Sequence, residues 1–381
     1  MIMKTIDPIQ ILEQLVRINS VNAFYPDGPG EGKLADYVQS FWNDHGIASR
    51  RQSVLPGRDN IIAQVPGLDS NRRLLLEAHM DTVSVAGMTI PPFEPTISDG
   101  KLFGRGSCDT KAGLACMMAA LANFKTSGQT PKSSIMVASV IDEEYSGLGV
   151  KKLCESLEAT AAIVAEPTEL KTIIASKGVL RWCIVAKGKQ AHSSKVHLGV
   201  NAIEHMAHLL VALQDYHRTF SEIQHPLLGC ATGNVGLIEG GVQVNFVPDR
   251  CAIQIDRRLL PQERLEDVLS GYQAVVDRVS ASIPDSQFHM ESPMLYDAGL
   301  ETPADAPIAK LSCRILDEMG YSDKVEGVAY GSDGTQIRAL GIETIIFGPG
   351  SIDQAHTECE YVEIQQVRAA FEYYQRMIQE F

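Results

Sequence analysis

Four apolar runs of strand length constrain this chain more than anything else in it, because each runs straight into residues that bind metals or move protons. Leu74-Leu75-Leu76-Glu77-Ala78 delivers His79, with Asp81 two residues on. Ser134 to Ile141 leads into Asp142-Glu143-Glu144, Ala161 to Ala165 ends on Glu166, and Ile342 to Phe347 opens the Gly348-Pro349-Gly350-Ser351 loop that carries His356. Runs of this kind read as strands. In an open parallel sheet the loops after the strands gather along one edge, where ligands bind. Taken singly, His79 reads as well as a buried histidine beside a capping aspartate, and Asp142-Glu143-Glu144 as a solvated acidic turn.

Helical patterns separate the strands. Asp7-Pro8-Ile9-Gln10 carries an N-cap acid and a first-turn proline, a second helix is expected from Glu31 to His45, stopping at Gly46, and a third from Leu114 to Phe124. The 381 residues exceed the roughly 250–300 over which a single core grows, so two domains are expected. The texture changes near Lys177. Leu180 to Ala186, Val242 to Val247, Cys251 to Arg257 and Gln287 to Met290 read as strands, with helices over Asn201 to Tyr216 and Pro261 to Val279. This β-α-β-β-α-β order predicts an α+β domain over residues 177–293, inserted into an α/β domain of residues 1–176 and 294–381 with a central, mostly parallel sheet.

The net charge of -14 argues against nucleic acid and anionic membranes as partners. No apolar run approaches the roughly 20 residues of a membrane span, and the first residues lack the apolar core and cleavage site of an export signal, so a cytoplasmic protein is expected. The eight cysteines include no C-x-x-C pair, which excludes a zinc finger and fits reduced thiols.

His79, Asp109, Glu144, Glu166 and His356 all fall at strand ends or in the loops after them. Two histidines and three carboxylates suit a pair of zinc ions, each held by one histidine and one terminal carboxylate, with the third carboxylate bridging. Gly104-x-Gly106 before a helix invites a dinucleotide reading, but the third glycine and the downstream acid are missing.

The segments His79-Met80-Asp81-Thr82-Val83, Gly104 to Gly113, Asp142-Glu143-Glu144, Glu166-Pro167-Thr168 and Gly348 to His356 resemble those of the dinuclear zinc metallopeptidases that include acetylornithine deacetylase, succinyl-diaminopimelate desuccinylase, aminoacylases and glutamate carboxypeptidases. The resemblance spans essentially the whole chain. It implies a zinc-peptidase-like catalytic domain and a lid that also forms a homodimer interface. It implies that His79 and Glu166 hold one zinc, Glu144 and His356 the other, and Asp109 bridges, with cobalt or manganese as substitutes. Asp81 would orient His79, and Glu143 would serve as the general base. His192, on its own an unremarkable loop histidine, matches a lid histidine that reaches the active site of the partner subunit. Arg258 and Asn245 match positions that contact the substrate carboxylate, and Gly331 and Ser332 a glycine-rich loop over the substrate backbone. Thr110-Lys111-Ala112-Gly113 departs slightly from the commoner Met-Lys-Gly-Gly. The expected activity is hydrolysis of an N-acyl amino acid, with N-acetylornithine first, then a desuccinylase or a dipeptidase or carboxypeptidase substrate. A non-catalytic binding protein on the same fold is the alternative of a different class.

Overall fold

The structure, a computed structural model, describes residues 5–381. The chain divides into two compact units. The first runs to Ile174 and takes up again at Thr302–Glu326 and Ser332–Phe381; the second comprises Ala175–Glu301 and Gly327–Gly331.

The first unit opens with α1 (Pro8–Arg17), where the Asp7 carboxylate accepts the Ile9 N–H at 3.0 Å and Pro8 occupies the first turn. Then come α2 (Gly32–Asp44), β1 (Ala48–Leu55), β2 (Arg58–Val65), β3 (Asp69–His79), α3 (Lys111–Thr126), β4 (Ser133–Val140), α4 (Leu148–Cys154), β5 (Ala161–Val164), β6 (Thr172–Ser176), α5 (Pro307–Glu318), β7 (Glu343–Ile346) and α6 (Ile364–Glu380). Gly46 follows α2 with φ 63°, a conformation glycine takes without steric cost.

The sheet order is β1-β2-β4-β3-β5-β7-β6. Strands β4, β3, β5 and β7 are mutually parallel, while β1, β2 and β6 run antiparallel to their neighbours. The expected mostly parallel centre is therefore present. Strand β3 lies in its middle, with Leu74 opposite both Ile135 and Ala161 and His79 opposite Val140. The segments beginning at His79, Ile141, Ala165 and Phe347 thus leave the sheet on the same edge.

Helix α3 is buried almost all round, as a helix packed within a layer must be. An added Cβ on Gly113 would come within 2.6 Å of the Ala165 Cβ, so this glycine lets α3 close on the end of β5. Leu12, Leu15, Trp42, Leu114, Met118, Tyr373 and Tyr374 fill the core; each buried aliphatic side chain of this size contributes about 1.5–3 kcal/mol. A small sheet of Thr96–Ser98, Lys101–Phe103 and Tyr361–Glu363 pairs Leu102 with Val362, which brings the Gly104 to Asp109 loop beside Glu360.

In the second unit, the antiparallel sheet order is Thr232–Gly240, Arg250–Leu259, Gly178–Lys187 and Gln287–Met290. Helices Ala202–Arg218 and Leu265–Ser282 contribute Met206, Leu209, Leu213, Tyr272 and Val276 to a core with Trp182, Ile184, Ile253 and Ile255. The β-α-β-β-α-β order is present, but one strand lies elsewhere than expected. Thr232–Gly240 is the strand, whereas Val242 to Asn245 forms a turn with Val242 88% and Val244 98% exposed, and pairing resumes only at Phe246–Val247. Glycines at 233, 236 and 240 dilute the alternation that reveals a strand. Among the described residues no helix is long and apolar enough to cross a membrane.

Candidate metal centre

Four backbone segments at the sheet edge bring side chains up to Asp109, which comes from the loop before α3. His79 is the last residue of β3, and Glu144 lies four residues beyond the end of β4. Glu166 stands two residues after β5. There Thr168 Oγ1 accepts the Gly348 N–H at 3.0 Å, and a Cβ on Gly348 would meet the Glu166 carbonyl oxygen at 2.6 Å. The ends of β5 and β7 are thereby drawn together. His356 follows in the loop after β7, with φ 61°.

The side chains converge on Asp109. Its Oδ1 lies 3.2 Å from His79 Nε2 and its Oδ2 lies 3.3 Å from His356 Nε2. His356 Nε2 is also 3.1 Å from Glu144 Oε1. One ligand atom each of His79, Asp109 and Glu144 falls within 4.8 Å of the others. Glu166 is buried and within the electrostatic reach of Asp109 and Glu143.

The electrostatics are those of acids crowded away from water. Burial, with Asp109 nearby, raises Glu144 to about 7. Burial pushes Glu143 well up, helped by Asp333 and Glu144, and Glu166 well up, helped by Asp109. Hydrogen bonds to Asp109 and Glu144 lift His356 to about 10. Burial opposes ionisation of Asp109, but His356 and His79 hold its carboxyl far below the usual range. Three clustered carboxylates and two imidazoles in such surroundings call for positive charge. The nitrogen and oxygen donors fit divalent ions such as zinc.

Asp81 is the brace of the site. Its side chain is fully buried, with Oδ1 3.5 Å from His79 Nδ1, while its backbone oxygen lies 3.0 Å from the same nitrogen. The carboxylate also accepts the Glu143 N–H at 3.1 Å, the Glu144 N–H at 3.0 Å and Asn22 Nδ2 at 2.8 Å. One side chain therefore fixes an imidazole and the backbone of the acidic turn together. The first of the three successive acids has its own counterion. Arg58 donates to Asp142 Oδ1 at 3.2 Å and grips Glu31 with two bonds, at 2.7 and 2.6 Å. Glu143 and Glu144 are left to the site.

Glu360, absent from the sequence reading, holds the Asp109 loop. Its Oε1 accepts the N–H groups of Cys108 and Asp109, and its Oε2 accepts from Gly106 N–H and Arg105 Nη1, all at 2.7 to 3.0 Å. Its signal in the sequence is an acid just before Tyr361-Val362, which carries no metal-ligand spacing. Lys111 is likewise structural. Its buried ammonium donates to the carbonyls of Leu15 and Ile18 at the end of α1, and burial lowers it to about 7.

In the second unit, His192 and Asn245 lie together. His192 pairs with Phe246, and the Ser193 N–H donates to the Asn245 carbonyl at 3.0 Å. The exposed His192 ring lies 2.8 Å from Ser194 Oγ. Arg258 stands near the other end of the Arg250–Leu259 strand, opposite Val179 and Thr232, and donates to Asp256 at 2.9 Å. Gly331 belongs to the second unit. Ser332, in the first, is buried, and its carbonyl accepts Thr335 Oγ1 at 3.1 Å.

The sequence pattern of Peptidase family M20/M25/M40 matches residues 75–380. An acetylornithine deacetylase of Myxococcus xanthus is 32% identical over 371 residues, covering 93% of this chain and 92% of its own. A probable succinyl-diaminopimelate desuccinylase of Staphylococcus epidermidis is 25% identical, covering 93% of each. The crystal structure of aminopeptidase PepT from Bacillus cereus shares the fold, with a TM-score of 0.81 at 22% identity over 98% of this chain and 97% of that one.

Proposed function

Because the chain belongs to Peptidase family M20/M25/M40 and is a hydrolase of amide bonds, we propose that it removes the acyl group from an N-acyl amino acid. N-acetylornithine is the first substrate, giving ornithine and acetate. The observation that carries the reading is Asp109 turning one carboxylate oxygen to each of two histidines, with a further carboxylate, Glu143, next in sequence to Glu144. The identity of the Myxococcus xanthus relative supports the choice of substrate.

In this reading His79 and Glu166 would hold one zinc ion and Glu144 and His356 a second, with Asp109 available to both and cobalt or manganese as substitutes. Bound there, the two ions would polarise the scissile carbonyl and acidify water. Glu143 takes the proton of the attacking water and returns it to the leaving amine. A positioned carboxylate suits that double task. Asp81 keeps the His79 ring oriented through Nδ1. His192 of the partner subunit supplies a donor to the developing oxyanion. Arg258 and Asn245 bind the substrate carboxylate, and Gly331 and Ser332 close over its backbone.

The homodimer forms through the second unit. Supporting this, the edge strand Thr232–Gly240 exposes Leu237 and Ile238, and the helix Ala202–Arg218 exposes Val211. Eight free cysteines fit a cytoplasmic setting.

The test is a hydrolysis screen of N-acetylornithine, N-succinyl-diaminopimelate, other N-acyl amino acids and dipeptides with zinc or cobalt added. Preference for the succinylated substrate would favour the desuccinylase reading that the Staphylococcus relative supports. Absence of turnover together with metal content far below two ions per chain would sink the enzymatic reading in favour of a binding protein.

A further inference from the structure

The metal centre is open on one side. The side chains of His79 and Asp109 are nearly covered, and Glu166 is buried, whereas His356 is 51% exposed. Beside Glu144, whose carboxylate lies 3.1 Å from the exposed His356 ring, the structure places three aromatic rings that the cage itself does not use. Tyr25 Oη donates to the Glu144 carbonyl at 3.4 Å. Tyr145, the next residue along, stacks on Phe24 with ring centres 4.5 Å apart and planes 12° apart, and meets Tyr25 edge-on at 6.3 Å.

The cluster is built, not incidental. Asn22 anchors the loop by donating to Asp81 and Asp142 through its side chain and to the Thr82 carbonyl through its backbone, at 2.8 to 2.9 Å. Arg58, locked by Glu31 and Asp142, places its guanidinium carbon 5.4 Å from the Phe24 ring centre. The stack thus rises from a buried ion-pair network to the surface. Its outer rings remain open to solvent, Phe24 at 48% and Tyr145 at 55%. The same loop carries the exposed Asp27, whose carboxylate accepts Ser84 Oγ at 3.1 Å.

We propose that Phe24, Tyr25 and Tyr145 form the subsite for the substrate's side chain, and that this side chain is an aliphatic stem ending in a cation. The methylenes lie on the Tyr145 ring and the ammonium is drawn to its π face, an attraction that the ring quadrupole supplies. The carboxylate of Asp27, on the same loop, adds negative charge, while the Arg58 guanidinium beneath Phe24 is neutralised by Glu31 and Asp142. The inference rests on the N-acyl amino acid reading and deepens it, since it assigns recognition of the side chain to the first unit. Tyr145 acts on specificity and leaves the metal ligands in place.

The test uses zinc-loaded full-length protein carrying Glu143→Gln, so that affinity is read without turnover, and calorimetry with N-acetylornithine, N-acetylnorvaline and N-acetylglycine. Tyr145→Ala is expected to weaken N-acetylornithine about tenfold and Tyr145→Leu about fourfold, with Tyr145→Phe unchanged, in line with the usual strength of cation–π contacts. N-acetylglycine should stay within about twofold throughout, as a ligand without a side chain must, and zinc content should be constant. Equal weakening of N-acetylglycine, no effect on N-acetylornithine, or tighter binding of N-acetylnorvaline than of N-acetylornithine overturns the subsite. The underlying reading fails separately. Side-chain-selective binding without turnover by wild-type protein would sink hydrolysis and leave the subsite standing, whereas unchanged kcat/KM for N-acetylornithine in Tyr145→Ala would sink the subsite alone.

Discussion

The Glu360 carboxylate accepts the backbone N–H of Asp109 at 3.0 Å across 251 residues of sequence. The residue that faces both histidines is therefore positioned by an acid that touches neither. Burial raises the Glu360 carboxyl while Arg105 and the backbone donors oppose that shift, and the Arg105 partner, at 2.7 Å, is itself buried. Glu360→Ala leaves that guanidinium without its carboxylate and frees several loop N–H groups. A loss of about 3–5 kcal/mol is expected from breaking a buried pair on one side, together with weaker metal retention. Chemical denaturation and metal analysis check this; a variant with full stability and two ions per chain would remove Glu360 from the role.

Glu143 is next to a ligand yet is assigned no metal, and its backbone N–H is pinned by Asp81. Glu143→Gln keeps shape and volume and removes the proposed base. Metal content should be unchanged while kcat falls by about 10²–10⁴-fold, the usual contribution of a positioned acid–base group. Substantial remaining turnover would assign the proton transfer elsewhere.

Metal binding should compete with protons. In the metal-free protein His356 is raised from its ordinary value to about 10, and so is imidazolium at pH 7, and His79 is raised well above its own by its Asp109 and Asp81 partners. The ion pairs they make stabilise the metal-free fold below about pH 6.5 and are lost as pH rises through the folded values. A metal needs the neutral rings, so its apparent affinity runs the other way and increases with pH. Zinc uptake at pH 7 should release about two or more protons per chain, since Glu144 and Glu166, whose carboxyls burial also raises, must give up their protons along with the imidazoliums. Calorimetry in buffers of different ionisation enthalpy reads this number directly, and heats independent of buffer would contradict it.

What was legible in the sequence follows from what makes a signal local. His79, Glu144 and Glu166 stand out because an apolar strand precedes each within a few residues, and the sheet then gathers those ends. Glu360 leaves no such trace, since it acts on main-chain N–H groups of a loop far away in sequence. Asn22, Phe24 and Tyr25 sit in a Pro- and Gly-rich loop without periodicity, so their place beside Glu144 depends on the tertiary fold. The Thr232–Gly240 strand was hidden by its glycines, while the valines at 242 and 244 imitate strand alternation in a turn that is fully exposed.

Those exposed valines adjoin Asn245, whose carbonyl accepts the Ser193 N–H beside His192. The donor proposed for the oxyanion thus sits on a solvent-exposed ladder that carries unusually apolar surface, the composition expected where a second copy docks. If His192 serves the neighbouring active site, a chain with His192→Ala and a chain with Glu143→Gln are each inactive as homodimers for different reasons. A heterodimer of the two contains one centre with both an intact Glu143 and an intact His192 from the partner. Mixed dimers should therefore recover up to about half of wild-type activity per dimer, the share set by one competent site in a two-fold assembly. Tagged heterodimers isolated by sequential affinity steps and assayed for N-acetylornithine hydrolysis provide the measurement. Activity no higher than that of the parent variants would place His192 either in its own subunit's site or outside catalysis.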